Sequence, residues 1–366
     1  MKILVVFVEP MLYGMDLIHE VYERTSHQFQ YIYCTNKLTG RDDITLPVNS
    51  YVCSGNNWER KKQVVDIFKS FAPEFVIING YVGTEQVVSI RWCQQHKIPY
   101  AIETDTPLHI PENKVKAVAK KCFLRTLLKN ELCYGFPGGT VQKDNLVYYG
   151  ISEEKNIIMP MSVSESRIRK VYENLPKKEE IKKSYGLTDK FVFLFVGRLD
   201  PVKNVNLLIQ AYKKLKEDYK KSALVIVGDG SETEILKKMA EKIEDIFFMG
   251  YQVFPKLVNF YKMSDAFVLP SNYEPWGLVV NEAMITGLPV IVSDVVGCRI
   301  DLVNENTGCC FRNNDVNSLY NGLLKIYNNH LIDYRLETRK KIQSWNYETY
   351  LKQFNEATNY VENKNN

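Results

Sequence analysis

Short, unbroken apolar runs recur along the chain and alternate with stretches of helical periodicity. Val76-Ile77-Ile78, Tyr100-Ala101-Ile102, Phe191 to Val196, Leu224 to Val227, Ala266 to Leu269 and Val290-Ile291-Val292 are largely β-branched or aromatic and show no polar alternation. Strands buried on both faces look like this, and helices between them imply parallel crossovers. The pattern predicts an α/β chain. The first run, Ile3 to Val8, stops at Glu9 and Pro10 without a small-residue cleavage site, so it reads as a buried first strand rather than a secretory leader. Residues 164–190 carry Lys177-Lys178-Glu179-Glu180 and Lys182-Lys183 and few apolar positions, which predicts a linker between a first domain at 1–163 and a second at 191–344. From 345 to 366, Tyr347, Tyr350, Leu351, Phe354 and Tyr360 recur at helical spacing, so a terminal helix with a surface to pack on is expected.

Composition sharpens this reading. At 366 residues, with 45% hydrophobic and 25% charged positions, the chain is long enough for two cores. The formal charge of +4, from 47 basic and 43 acidic residues, is too near balance for a general nucleic-acid binder, so no nucleic-acid partner is expected. No apolar run approaches the roughly 18 residues that a membrane span requires. Eight cysteines lack a C-x-x-C pair or a histidine at zinc spacing, and most lie among apolar neighbours. Reduced, buried thiols in a cytoplasmic protein are expected.

In doubly wound sheets ligands bind beyond the carboxyl ends of the strands. After Val196 comes Gly197-Arg198-Leu199-Asp200-Pro201-Val202-Lys203, followed by a helical pattern. Arg198 and Lys203 suit a diphosphate at a helix start, although two solvated loop charges would look the same. Val227-Gly228-Asp229-Gly230 is a tight turn that lets backbone approach a ligand, and turn chemistry alone also accounts for it. The richest stretch is Tyr273-Glu274-Pro275-Trp276-Gly277-Leu278-Val279-Val280-Asn281-Glu282. Pro275 keeps Glu274 out of helix, while a helix beginning near Gly277 turns free amides outward and places Glu282 roughly 8 Å further along its axis. Ser293-Asp294-Val295-Val296-Gly297 follows a strand and reads as structural.

These motifs, with Phe248-Met249-Gly250-Tyr251, Gly287-Leu288-Pro289-Val290-Ile291 and Thr307-Gly308, fall in the order and spacing of a known family. Residues 191–315 resemble the donor-binding domain of family 4 glycosyltransferases, retaining enzymes of the GT-B architecture that use nucleotide sugars. The resemblance implies two Rossmann-like domains facing a cleft, with a C-terminal helix crossing back to the first domain. It implies that Arg198 and Lys203 grip the donor phosphates, Glu282 binds the ribose, Glu274 faces the transferred sugar, and the amides of Gly277, Leu278 and Val279 meet the sugar or distal phosphate. Gly228 and Asp229 fall at its donor-site turn. No metal or other cofactor is implied. The first domain departs from the family: its first loop holds only Gly14 as a candidate phosphate contact, and Asp105 stands about where many relatives carry a histidine. Asp105 is preferred over Glu103 or His109 as the catalytic residue on that side, the alternative being an Asp that caps the next turn.

The implied acceptor is a saccharide or a lipid-linked saccharide. Residues 112–131 bear on that, holding six basic residues against two glutamates, a net +4 equal to that of the whole chain. Val115, Val118, Ala119, Cys122 and Phe123 form one helical face, with Leu124, Leu127 and Leu128 outside it. Such a helix either lies peripherally on an anionic membrane surface or covers a sheet with its lysines in water. The rival readings are a nucleotide-sugar epimerase of the same fold and a non-catalytic nucleotide-sugar-binding protein.

Overall fold

The computed structural model describes residues 1–35, 44–329 and 333–365. The chain forms two units, one from residues 1–162 with the segment from Asn346 onward, the other from Val163–Trp345.

In the first unit six parallel strands, β1 (Lys2–Phe7), β2 (Gln28–Tyr33), β3 (Ser50–Val52), β4 (Phe75–Asn79), β5 (Tyr100–Thr104) and β6 (Cys133–Pro137), lie in the order β3-β2-β1-β4-β5-β6. The helices are α1 (Leu12–Glu20), α2 (Asn57–Phe71), α3 (Thr84–His96), α4 (Lys114–Leu128) and α5 (Thr140–Tyr149). Because successive strand side chains point to opposite faces, Leu4 and Val6 join a core with Val64, Phe68, Ile90 and Leu124, while Ile3, Val5 and Phe7 join another with Ile18 and Tyr22. Both faces are covered, which is why these strands read as unbroken apolar runs.

The second unit repeats the arrangement with β7 (Phe191–Val196), β8 (Ser222–Val227), β9 (Ile246–Phe248), β10 (Ala266–Leu269), β11 (Val290–Ser293) and β12 (Gly308–Phe311), all parallel in the order β12-β11-β10-β7-β8-β9. Read from β9, this is the same doubly wound order as in the first unit. Its helices are α6 (Glu165–Asn174), α7 (Lys178–Ser184), α8 (Val205–Asp218), α9 (Thr233–Ala240), α10 (Leu257–Met263), α11 (Leu278–Thr286), α12 (Arg299–Leu302), α13 (Val316–Asn328) and α14 (Tyr334–Ile342). A final helix, α15 (Tyr347–Asn365), returns to the first unit.

Three segments need comment. The stretch 164–190 is not an open linker: α6 packs on α10 and α11, and α7 packs on α10. Each helix is anchored mainly by one fully covered isoleucine, Ile168 and Ile181, too sparse an apolar stripe to stand out among the charges. In α4 the buried residues are Leu124, Leu127 and Leu128, whereas Val115, Val118, Cys122 and Phe123 of the other apolar face are exposed. The three leucines at the end of α4 join the first unit's core, and Val115 and Val118 in its first turns are exposed. In α15 the packed residues are Tyr347, Tyr350, Phe354, Ala357 and Val361, with Leu351 partly covered and Tyr360 half exposed.

Candidate functional site

A doubly wound sheet opens a crevice where the crossovers reverse direction, here between β7 and β10. The loop after each strand supplies one charge to that point. Lys203 closes a short 3₁₀ turn after β7, and its Nζ donates to Glu274 Oε2, 2.5 Å away on the loop after β10. Ser271 Oγ donates to the same carboxylate oxygen at 3.2 Å. Both charged side chains are largely shielded, Lys203 at 17% and Glu274 at 12% exposure, so the pair is held rather than solvated.

Neighbouring loops brace it. The Gly297 amide donates to the Glu274 carbonyl at 2.9 Å and the Asn272 amide to the Val202 carbonyl at 2.8 Å. Asn204, in the left-handed region at φ 53°, donates through its Nδ2 to Asn272 Oδ1 and Asn314 Oδ1. The Ser293–Gly297 loop, expected to be merely structural, is therefore what fixes the backbone of Glu274. Ser271 was missed by sequence reasoning, although its place directly after β10 was a usable signal.

Arg198 is not joined to this pair. Its side chain is 74% exposed and lies 3.3 Å from Asp200, whose other oxygen accepts from the amide and hydroxyl of Ser231. Gly228, at φ 140°, is required sterically, since a Cβ there would sit 1.8 Å from the Gly197 carbonyl oxygen. The β7 and β8 loops can approach only because neither carries a side chain at this contact. Asp229 is exposed and caps the turn into α9, accepting from the Thr233 hydroxyl at 2.6 Å and the Gly230 amide at 2.8 Å, bonds that hold its carboxyl below the usual range.

Gly277, at φ 99°, turns the chain into α11, so Leu278 and Val279 open the helix without a side-chain cap. Uncapped amides at a helix start carry partial positive charge and suit an anion. Trp276 beneath them is buried and donates to Asn281 Oδ1 at 2.9 Å. Further along α11, Glu282 Oε2 accepts from the Tyr261 hydroxyl at 2.6 Å. Burial, and then the Glu282 charge, push that phenol well above its ordinary value. Tyr261 on α10 had no sequence signal pairing it with Glu282, because the contact joins separate helices.

The first unit has its own reversal between β1 and β4. Tyr13, Asn79, Glu103 and Asp105 line a pocket there with Ser162 and Tyr350 of α15. Asp105 is partly exposed just past β5, beside Glu103, which accepts from Tyr350 at 2.7 Å and from Asn79 at 3.5 Å. Burial raises the Glu103 carboxyl; the hydrogen bonds from Tyr350 and Asn79 oppose the rise, and Asp105 adds to it. Tyr13 is pushed up by burial and then by the charges of Asp105, Glu103 and Glu9. Gly14 lies inside the first turn of α1, buried, where a Cβ would stand 3.8 Å from the Phe7 ring.

A strand-tip ion pair and an uncapped helix start thus lie together at the crossover reversal of the second unit's doubly wound sheet. Residues 177–348, which contain it, match the family model described as glycosyl transferases group 1. An uncharacterised glycosyltransferase of Methanocaldococcus jannaschii is 36% identical over 141 residues, 37% of this chain and 36% of the relative. The UDP-Gal:alpha-D-GlcNAc-diphosphoundecaprenol alpha-1,3-galactosyltransferase of Escherichia coli is 36% identical over 144 residues, 38% of this chain and 37% of the relative. These matches span about a third of the relatives' length. The solved sucrose-phosphate synthase of Thermosynechococcus elongatus has a TM-score of 0.76 at 17% identity, covering 99% of both chains. The fold is that of the GT-B glycosyltransferases.

Proposed function

We propose that this chain is a retaining glycosyltransferase that moves a sugar from a nucleoside-diphosphate sugar to a saccharide or lipid-linked saccharide. The observation that carries this reading is the Lys203–Glu274 pair at the β7/β10 reversal, beside the open start of α11. As the anomeric bond stretches, negative charge grows on the departing diphosphate. Lys203, Arg198 and the amides of Gly277, Leu278 and Val279 stabilise that charge more strongly than they stabilise the ground state. Glu274 faces the transferred sugar and Glu282, oriented by Tyr261, the ribose. Gly228 and Asp229 border the nucleotide.

The departing phosphate takes the acceptor proton, so the mechanism needs no separate strong base. In the first unit Asp105 is the residue we assign to the reacting sugar and Gly14 the candidate phosphate contact, both on the family resemblance alone. UDP is the first donor nucleotide to try, because the E. coli relative is named for UDP-Gal. Its acceptor is named as a diphosphoundecaprenol-linked sugar, which agrees with a cytoplasmic enzyme whose α4 rests on an anionic membrane.

Calorimetric titration with UDP tests the site. Lys203→Ala should weaken binding by about 1.5–3 kcal/mol, the worth of a charge-assisted hydrogen bond. Glu274→Ala should lower turnover of UDP-sugars more than it lowers their binding. UDP affinity unchanged in Lys203→Ala would remove the phosphate grip from this loop.

A further inference from the structure

At the opposite end of α11 from Gly277, the second unit holds a cavity that the donor reading does not use. Arg169 and Tyr172 of α6, Lys262 of α10, and Arg335 and Arg339 of α14 line it, together with Thr286 at the end of α11. Lys262 Nζ and the Arg339 guanidinium share one aromatic face, 4.6 Å and 5.5 Å from the Tyr172 ring centre. Lys262 donates to the carbonyls of Tyr172 and Leu175 at 2.7 Å and 2.9 Å, and Arg339 to that of Thr286 at 3.4 Å.

Carboxylates do not balance these cations. Arg169 is paired with Glu165 at 2.5 Å, and Lys178, next to the cavity, with Asp265 at 2.6 Å. Among the described residues no ion pair joins Lys262, Arg335 or Arg339 to a carboxylate, and Glu173 is the one acidic residue in the lining. Arg339 Nε is buried without a hydrogen-bond partner. Gly287 makes the crowding possible, since a Cβ there would fall 2.7 Å from Arg335 Cγ. Burial, and then the Arg335 charge, hold both Lys262 and Arg339 below their ordinary values. A helix C-terminus is complemented by one cation, and three gathered at one end repel each other unless an anion joins them.

We propose that this cavity is a second anion site, distinct from the donor site, which takes a small phosphate-bearing molecule of two or more negative charges between α6 and α14. Both helices pack on α11. The helix α6 begins just after the chain first passes between units, and α14 ends just before it passes back. An anion bridging Arg169 to Arg335 and Arg339 ties these two segments together. The site lies about 14 Å along α11 from the donor end, by the rise of a nine-residue helix.

Titration with pyrophosphate at low ionic strength tests this. A chain carrying Arg198→Ala and Lys203→Ala, with its donor-phosphate grip removed, should still bind one equivalent. Adding Arg335→Gln and Arg339→Gln should weaken that binding at least tenfold. Arg335→Glu in their place, at an exposed side chain among cations, should weaken it likewise without lowering the melting temperature. Absence of saturable binding in the first chain, or equal binding in all of them, would overturn the site and leave the cations as a cap on α11.

Discussion

Glu103 shows how one side chain's surroundings become a measurable property of the fold. It closes β5 beside Asp105 and under Tyr350, and burial keeps its carboxyl protonated to higher pH than in the unfolded chain. A group with a raised folded value binds more protons folded than unfolded between the two values. The contribution of Glu103 to stability should therefore fall as pH rises from about 4.5, the ordinary value, up to the folded value, and be level on either side. Glu103→Gln removes that slope. Across this window the urea midpoint of the variant should rise relative to that of the parent, and parallel curves would refute the assignment. The sequence pointed to Asp105 at this turn. That Glu103 is the shielded carboxylate follows from Tyr350, 247 positions away.

The helix α4 leaves one apolar face uncovered. Its leucines at 124, 127 and 128 anchor it, while Val115 is 78% and Val118 62% exposed among lysines. An exposed apolar ridge with cationic flanks suits an anionic lipid surface. Lys120, Lys121 and Arg125 reversed to Glu should abolish sedimentation with phosphatidylserine vesicles and leave UDP binding intact, since Lys203 and Glu274, the proposed donor contacts, lie in the other unit. Lys120 and Lys121 also sit over the rings of Tyr149 and Tyr148, so the variant should lose up to about 1 kcal/mol of stability per contact. If the unaltered protein does not sediment with such vesicles, α4 only covers the sheet.

For the whole molecule, two units with separate cores predict two unfolding transitions in calorimetry. UDP at 100 times its dissociation constant should stabilise the transition of the second unit by about 2.7 kcal/mol. Deleting the chain from Asn346 should lower the other, because Tyr347, Tyr350, Phe354, Ala357 and Val361 are part of the first core. A single transition that UDP and the deletion shift alike would show that the units do not unfold separately.

The apolar runs by themselves determined the α/β class and the cores of seven strands, because a strand covered on both faces leaves an unbroken β-branched signature. Five strands escaped: Gln28 and Gln30 interrupt β2, Gly135 and Pro137 interrupt β6, and β3, β9 and β12 are three or four residues long. Local chemistry also located the loops after β8 and β10, since Pro275, Gly277 and Gly228 act on their own backbone. Only the tertiary structure decided which charges meet. Lys203 joins Glu274 across 71 positions and Glu282 joins Tyr261 across 21, while Arg198, on the same loop as Lys203, stays in solvent. It also decided which face of α4 is covered and assembled the Arg335–Arg339 cluster, because each depends on elements the chain brings together only by folding.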